Sequence, residues 1–176
     1  MKPSKQGVVY DNSWFQVIES FDSATGELFY GLECSDYVHV VALTKDNDIV
    51  FVRQHRPVID QSTLELPGGH VDDGQTHEDA ARNELYEEAG YRTQSIHLLG
   101  ILHSDVGRLM NRWWCFISDD VERDEDWRPE KGIDVVHHKV GNIAHLIQSG
   151  SIDNAYDLAC IMLASKKLEN VDWQVK

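Results

Sequence analysis

The chain is short of cysteine, of positive charge and of long apolar runs, and each shortage removes a class of explanation. Only Cys34, Cys115 and Cys160 occur, far apart and without a CxxC pair. Neither a disulfide framework nor a cysteine zinc site is therefore expected, and a reducing compartment, the cytoplasm, is. Lys and Arg number 16 against 30 Asp and Glu, a formal net charge of −14. Broad nucleic-acid binding rests on basic side chains neutralising phosphates, so this balance argues against it. A small phosphorylated molecule stays compatible if local arginines or a metal offset the field. No run of 18 apolar residues occurs, so no helical membrane span is expected. The opening MKPSKQGVVYDNSW has lysines but no apolar core of the secretory kind. With no repeat and no composition shift to mark a linker, 176 residues imply one domain over 1–176.

What is present is a succession of short apolar runs separated by turn residues. WFQVIESF (14–21) and ELFYGLEC (27–34) alternate as strands around DSATG and predict an N-terminal hairpin. YVHVVALT (37–44) and IVFVRQHR (49–56), around KDND, predict a second. Pro67-Gly68-Gly69 forces a turn and lets backbone approach closely. A helix follows from an N-cap at Thr76 to a stop at Gly90, with Ala80, Ala81, Leu85 and Ala89 on its inner face. Strands are predicted over 95–103, 112–119 and 133–140, and helices over 142–150 and 155–168. The acidic stretch 119–130 reads as an exposed loop. Mixed elements of this kind imply an α/β layered sandwich.

The helix carries NELYEEAGY (83–91). At about 100° per residue, Glu84, Glu87 and Glu88 fall within roughly a 100° arc. Like charges so placed repel by about 0.2–0.5 kcal/mol per pair. Either water screens them or a cation sits among them, and hard ions such as Mg2+ take carboxylate oxygens together with substrate phosphates. Residues 64–91, LELPGGHVDDGQTHEDAARNELYEEAGY, set that cluster behind a glycine elbow.

This stretch resembles the Nudix box: Gly, five residues, Glu, seven residues, then Arg-Glu-apolar-any-Glu-Glu-any-Gly-apolar. Gly69, Glu84, Leu85, Glu87, Glu88, Gly90 and Tyr91 fall at its positions. Gln75 replaces the first Glu and Asn83 the Arg. Arg82 is one residue away and points about 100° aside. FVRQHRP (51–57), EKGIDVV (130–136) and SGSIDNAYDLA (149–159) further resemble the ADP-ribose pyrophosphatase and nucleoside-diphosphate-sugar branch of that family.

The resemblance implies an α/β/α sandwich with a mixed sheet, residues 37–176 forming the core and 1–36 a dimerisation segment. It implies Mg2+, replaceable by Mn2+, on Glu84, Glu87 and Glu88 with the Gly68 or Gly69 carbonyl. The activity implied is cleavage of a diphosphate into two monophosphates, with Glu130 as base ahead of Glu122 and Glu125, and Glu84 itself as a further candidate. Arg53 and Arg56 are three apart and so face opposite sides of a strand; the resemblance favours Arg56 for phosphate. Arg108 and Arg112 could cover the substrate, and Trp14, Phe29 and Tyr30 could stack on a nucleoside base in a homodimer. None of the nine histidines is assigned a role. A binding module without catalysis, and a hydrolase of capped RNA or dinucleoside polyphosphates, are the alternatives.

Overall fold

In the computed structural model, which describes residues 4–166 and Leu168, two strands form the centre: β4 (Tyr37–Ala42) and β5 (Asp48–Arg56). The expected hairpin between them exists only at its turn. Leu43 meets Ile49 in a single bridge, and the Thr44 N–H donates to the Asp48 carbonyl at 2.9 Å. Beyond that point they part into two sheets. β4 lies between β7 (Gly68–His70) and β10 (Arg112–Ser118), with β9 (His97–His103) beyond, while β5 lies between β6 (Gln61–Glu65) and β12 (Ile133–Lys139). Val38 to Ala42 and Ile49 to Val52 are buried on both faces, so each strand needs neighbours on both sides and cover above and below. β4 runs parallel to β10 and antiparallel to β7, which makes that sheet mixed.

The N-terminal hairpin forms from β2 (Gln16–Phe21) and β3 (Leu28–Glu33), with Asp22 Oδ1 accepting the Ala24 N–H at 2.7 Å in the turn. An unanticipated third strand, β1 (Ser4–Asp11), pairs with β2. Its sequence, SKQGVVYD, clusters its apolar residues instead of alternating them, which hides the strand from pattern reading. Trp14 and Phe15 lie before β2, where the Asn12 side chain accepts both of their amides.

α1 (His77–Ala89) covers one face of the central strands; α2 (Ile143–Gln148) and α3 (Ala155–Ala164) cover the other. Alternate residues of β4 and β5 therefore feed two cores. Val38, Val40, Val50 and Val52 meet Ala80, Ala81 and Leu85, whereas Val41, Ile49 and Phe51 meet Ile143, Cys160 and Ile161. The α/β/α layering follows from that division. α3 ends at Ala164, short of the expected 168; Ser165 and Lys166 form a turn, and Lys167 lies outside the described residues. The acidic stretch contains a short strand, β11 (Glu122–Arg123), paired with β8 (Tyr91–Arg92). Among the described residues, no helix is long and apolar enough to cross a membrane.

Candidate active site

The helix that carries the carboxylates is fixed at both ends by local chemistry. Thr76 Oγ1 accepts the Asp79 N–H at 3.1 Å, an N-cap worth about 1 kcal/mol. Gly90 takes the left-handed conformation, φ 72°, and donates to the Tyr86 carbonyl at 2.8 Å. The Trp127 indole occupies the space that a Cβ on Gly90 would need. Ala80, Ala81, Leu85 and Ala89 face the core as their spacing predicts, and this sets the glutamates along the edge of the buried stripe.

The elbow meets those glutamates directly. The Gly68 N–H donates to Glu88 Oε2 at 3.0 Å. A side chain on Gly69 would overlap the Glu84 carboxylate, so only glycine lets the two approach. Burial, followed by the charges of Glu88 and Glu87, pushes the Glu84 pKa up to about 8. Burial likewise pushes Glu88 up to about 7, although the Gly68 amide and the Arg56 charge oppose it. Glu87 is exposed at the rim. Among the described residues, no group of three or more His, Cys, Asp and Glu side chains is gathered closely enough to hold an ion unaided.

Arg56 is the cation beside this cluster. It grips Glu65 with two parallel hydrogen bonds, Nε to Oε1 at 2.8 Å and Nη2 to Oε2 at 2.6 Å. Burial opposes ionisation of Glu65, but Arg56 and Thr63 outweigh it and hold its carboxyl below the ordinary value. Such a fork has a fixed geometry, so Arg56 is pre-aimed. Arg82 does not take the place of the absent box Arg. It turns to the Thr93 carbonyl and to Glu78, both at 2.8 Å. Asn83 points to solvent, and Gln75 accepts the Asp72 N–H at 3.2 Å through its side-chain oxygen.

The remaining candidates divide. Glu130 is exposed, but its charge reaches Glu84. Glu122 and Glu125 line a separate cleft of about 610 Å3 with Lys45 and His137, and Glu122 is tied to Lys45 at 2.6 Å. Tyr30, Phe29 and Arg108 share an apolar cleft of about 830 Å3 with Phe21 and Met110. The Tyr30 hydroxyl donates to Glu19 at 2.9 Å. Trp14 sets its edge against His70, ring centres 6.1 Å apart, immediately beyond the elbow. Arg112 is exposed and contributes its backbone N–H to Asp36.

Sequence reading missed what lies behind the elbow. Tyr37, Trp113 and Tyr156 stack in series, with ring centres 4.5 and 3.3 Å apart, and the Tyr37 hydroxyl bonds His70 Nε2. His39 and Asp157 form a buried pair beside this stack. The signal was available: Asp157 sits in AYDLACIMLA on the same helical stripe as Cys160, Ile161 and Ala164, and a carboxylate there demands a partner.

Residues 36–140, more than half of the chain, match the NUDIX domain model. The chain belongs to the Nudix family. Among curated Nudix-family relatives and others it is similar to an ADP-ribose pyrophosphatase of Bacillus subtilis, 23% identical over 67% of this chain and 65% of that protein. It is also similar to a methanol dehydrogenase activator of Bacillus methanolicus, 37% identical over 35% of this chain and 34% of that protein. The matched region thus spans from about a third to just under two thirds of those relatives. A solved structure described as an ADP compounds hydrolase superposes with a TM-score of 0.76 at 16% identity, covering 99% of this chain and 98% of the other. That match establishes a shared fold, including the layered Nudix core and the N-terminal sheet.

Proposed function

We propose that this Nudix protein hydrolyses the diphosphate of ADP-ribose or a nucleoside-diphosphate sugar, releasing two monophosphates. The observation that carries the reading is the pair Glu84 and Glu88, pressed against a glycine elbow and pushed up to about 8 and about 7, both by burial and Glu84 also by the charges of Glu88 and Glu87. Carboxylates buried together in this way suit a hard cation whose remaining positions come from water and substrate oxygens. The donors fit: Glu84 and Glu88, joined by Glu87 and a backbone carbonyl of Gly68 or Gly69, would hold Mg2+ or Mn2+. Bound there, such an ion neutralises diphosphate oxygens and lowers the pKa of a water.

The chain supplies the rest. Arg56, locked by Glu65, presents its remaining N–H groups to a phosphate. Glu130 takes the proton of the attacking water; the water oxygen bonds to phosphorus, and the bridging P–O bond breaks toward the second monophosphate. Trp14, Phe29 and Tyr30 receive the nucleoside, with Arg108 and Arg112 closing over it. The N-terminal sheet leaves Val8, Leu28, Phe29 and Tyr30 each at least half exposed. That apolar area supports a homodimer formed through this sheet, to be checked by light scattering. Free thiols at Cys34, Cys115 and Cys160 fit a cytoplasmic setting.

The experiment is monophosphate release from ADP-ribose, nucleoside-diphosphate sugars, dinucleoside polyphosphates and capped RNA, with Mg2+ and with EDTA. Metal-dependent turnover of the first two classes is the expected result. A ligand that raises the melting temperature without turnover would favour the second reading, a nucleotide-binding module. The solvent-facing Asn83 and the diverted Arg82 are what keep that reading alive.

A further inference from the structure

α3 carries a carboxylate into an interior of apolar side chains. Asp157 is fully buried, and its partner is His39 in the middle of β4, with Nδ1 lying 2.9 Å from Asp157 Oδ1. The contact is close but poorly aligned: neither Nδ1 nor either carboxylate oxygen has a well-directed hydrogen bond. A buried pair without well-directed hydrogen bonds adds little stability, and apolar replacement of buried ion pairs is often neutral or favourable by about 1–4 kcal/mol. What the pair holds in place is therefore more telling than what it contributes to folding.

Several observations converge on the elbow. His39 is the β4 register partner of Gly68, and its ring fills the space that a Cβ at position 68 would occupy. The other side of Gly68 donates to Glu88. Trp113 stands edge-to-face with the imidazole at 4.9 Å and 84°, and Tyr156, the neighbour of Asp157, stands at 6.4 Å and 83°. These walls leave the ring little freedom to turn. Burial pushes the Asp157 carboxyl up, while His39 and the Leu66 amide, two residues before Gly68, favour its ionised form. One carboxylate from the last helix thus acts on β4 through His39 and on the segment leading into the elbow through Leu66.

We propose that His39 and Asp157 are positioning residues, fixing the Gly68–Gly69 elbow against α1 so that Glu88 is held ready for a cation. The proposal rests on the cation reading above and extends it by giving α3 a part in the site. Partners behind metal ligands commonly govern affinity by about 10–100-fold when removed.

The test uses the full chain labelled with 15N-glycine. It follows hydrogen exchange at the Gly68 amide and Mn2+ binding by electron paramagnetic resonance, beside the melting temperature. The double variant H39L/D157L replaces the pair with apolar bulk. It is expected to keep its melting temperature, to expose the Gly68 amide to faster exchange, and to bind Mn2+ at least about tenfold more weakly. His39→Asn, which retains a donor near the Nδ1 position, should recover most of both. Should the double variant not fold, Asp157→Asn, which preserves volume, decides on the same two readouts. Unchanged Gly68 exchange and unchanged Mn2+ affinity would overturn the proposal, leaving the pair as packing. If the wild type itself binds no Mn2+, the cation reading fails, and Gly68 exchange alone then decides the positioning role.

Discussion

On α1, Glu84 and Glu88 are drawn inward against the elbow; burial, joined at Glu84 by the charges of Glu88 and Glu87, pushes their pKa values up to about 8 and about 7. On the N-terminal segment, Trp14 stands 71% exposed before β2, and Phe29 and Tyr30, about half exposed, line an open cleft. The two regions carry candidate residues for one reaction and treat them in opposite ways. Shifting a carboxylate requires removing water from it, which one folded chain can accomplish. Gripping a flat, neutral base requires only apolar faces, and these can wait on a surface until a ligand or a second copy covers them.

The largest effect that would break this contrast is at the buried end. Glu88→Gln or Glu87→Gln should lower turnover of the preferred substrate by at least about 10³-fold, the scale for losing a principal charge-stabilising group. Substantial activity in both variants would remove the carboxylates from the reaction. At the exposed end, Trp14→Ala or Phe29→Ala should raise KM about tenfold with kcat nearly kept, because one lost stacking face is worth about 1–3 kcal/mol. A collapse of kcat instead would place these rings in the chemistry and erase the distinction.

A thermal measurement sharpens the buried end further. Glu84 and Glu88 bind protons more tightly in the folded chain than their ordinary value of 4.5 allows. Their contribution to stability is therefore complete below about pH 4.5 and is lost as pH rises through about 7 and about 8. In EDTA the melting temperature should fall between pH 5.5 and 9, an interval chosen to bracket about 7 and about 8. Glu84→Gln should flatten that fall, and so should Mn2+. A wild-type profile that matches the variant's would mean that the carboxylates are solvated after all. The smallest effect is expected at Asn83→Arg: position 83 faces water, so kcat/KM should move by less than about twofold, near 0.5 kcal/mol. A large gain would show that an arginine there can still fold back onto the glutamates.

The box helix was legible because everything that defines it is local. Thr76, the alanine and leucine stripe and Gly90 lie within one helix length, and the glutamate spacing is a property of that helix alone. The pairing of β4 with β5 misled for the opposite reason. A good turn at KDND says nothing about where the strands go next, and of the two true partners of β4, β7 and β10, the second arrives some seventy residues later, Trp113 lying beside Tyr37. β1 escaped notice because Val8, Val9 and Tyr10 do not alternate with polar residues. His39 and Asp157 are distant in sequence and match no spacing rule; only the oddity of a carboxylate on an apolar stripe marked one of them. Placement of Trp14, Tyr30 and Arg108 on a surface depends on how the N-terminal sheet packs, and strand patterns do not encode that.

Trp127 and Gly90 give the acidic segment a meaning beyond its charge. The indole rests in the room left by a missing methyl group at the end of α1, and the Asp124 N–H is bonded to the Gly90 carbonyl at 2.9 Å. Glu130 follows three residues after that indole. The segment bearing the proposed base is thus docked onto the helix bearing the carboxylates, like a jig clamped to its workpiece. Position 90 must then be glycine on two separate grounds, backbone handedness and the seat of an aromatic ring. An alanine there would loosen the distance between base and carboxylates while leaving every one of those acidic side chains intact.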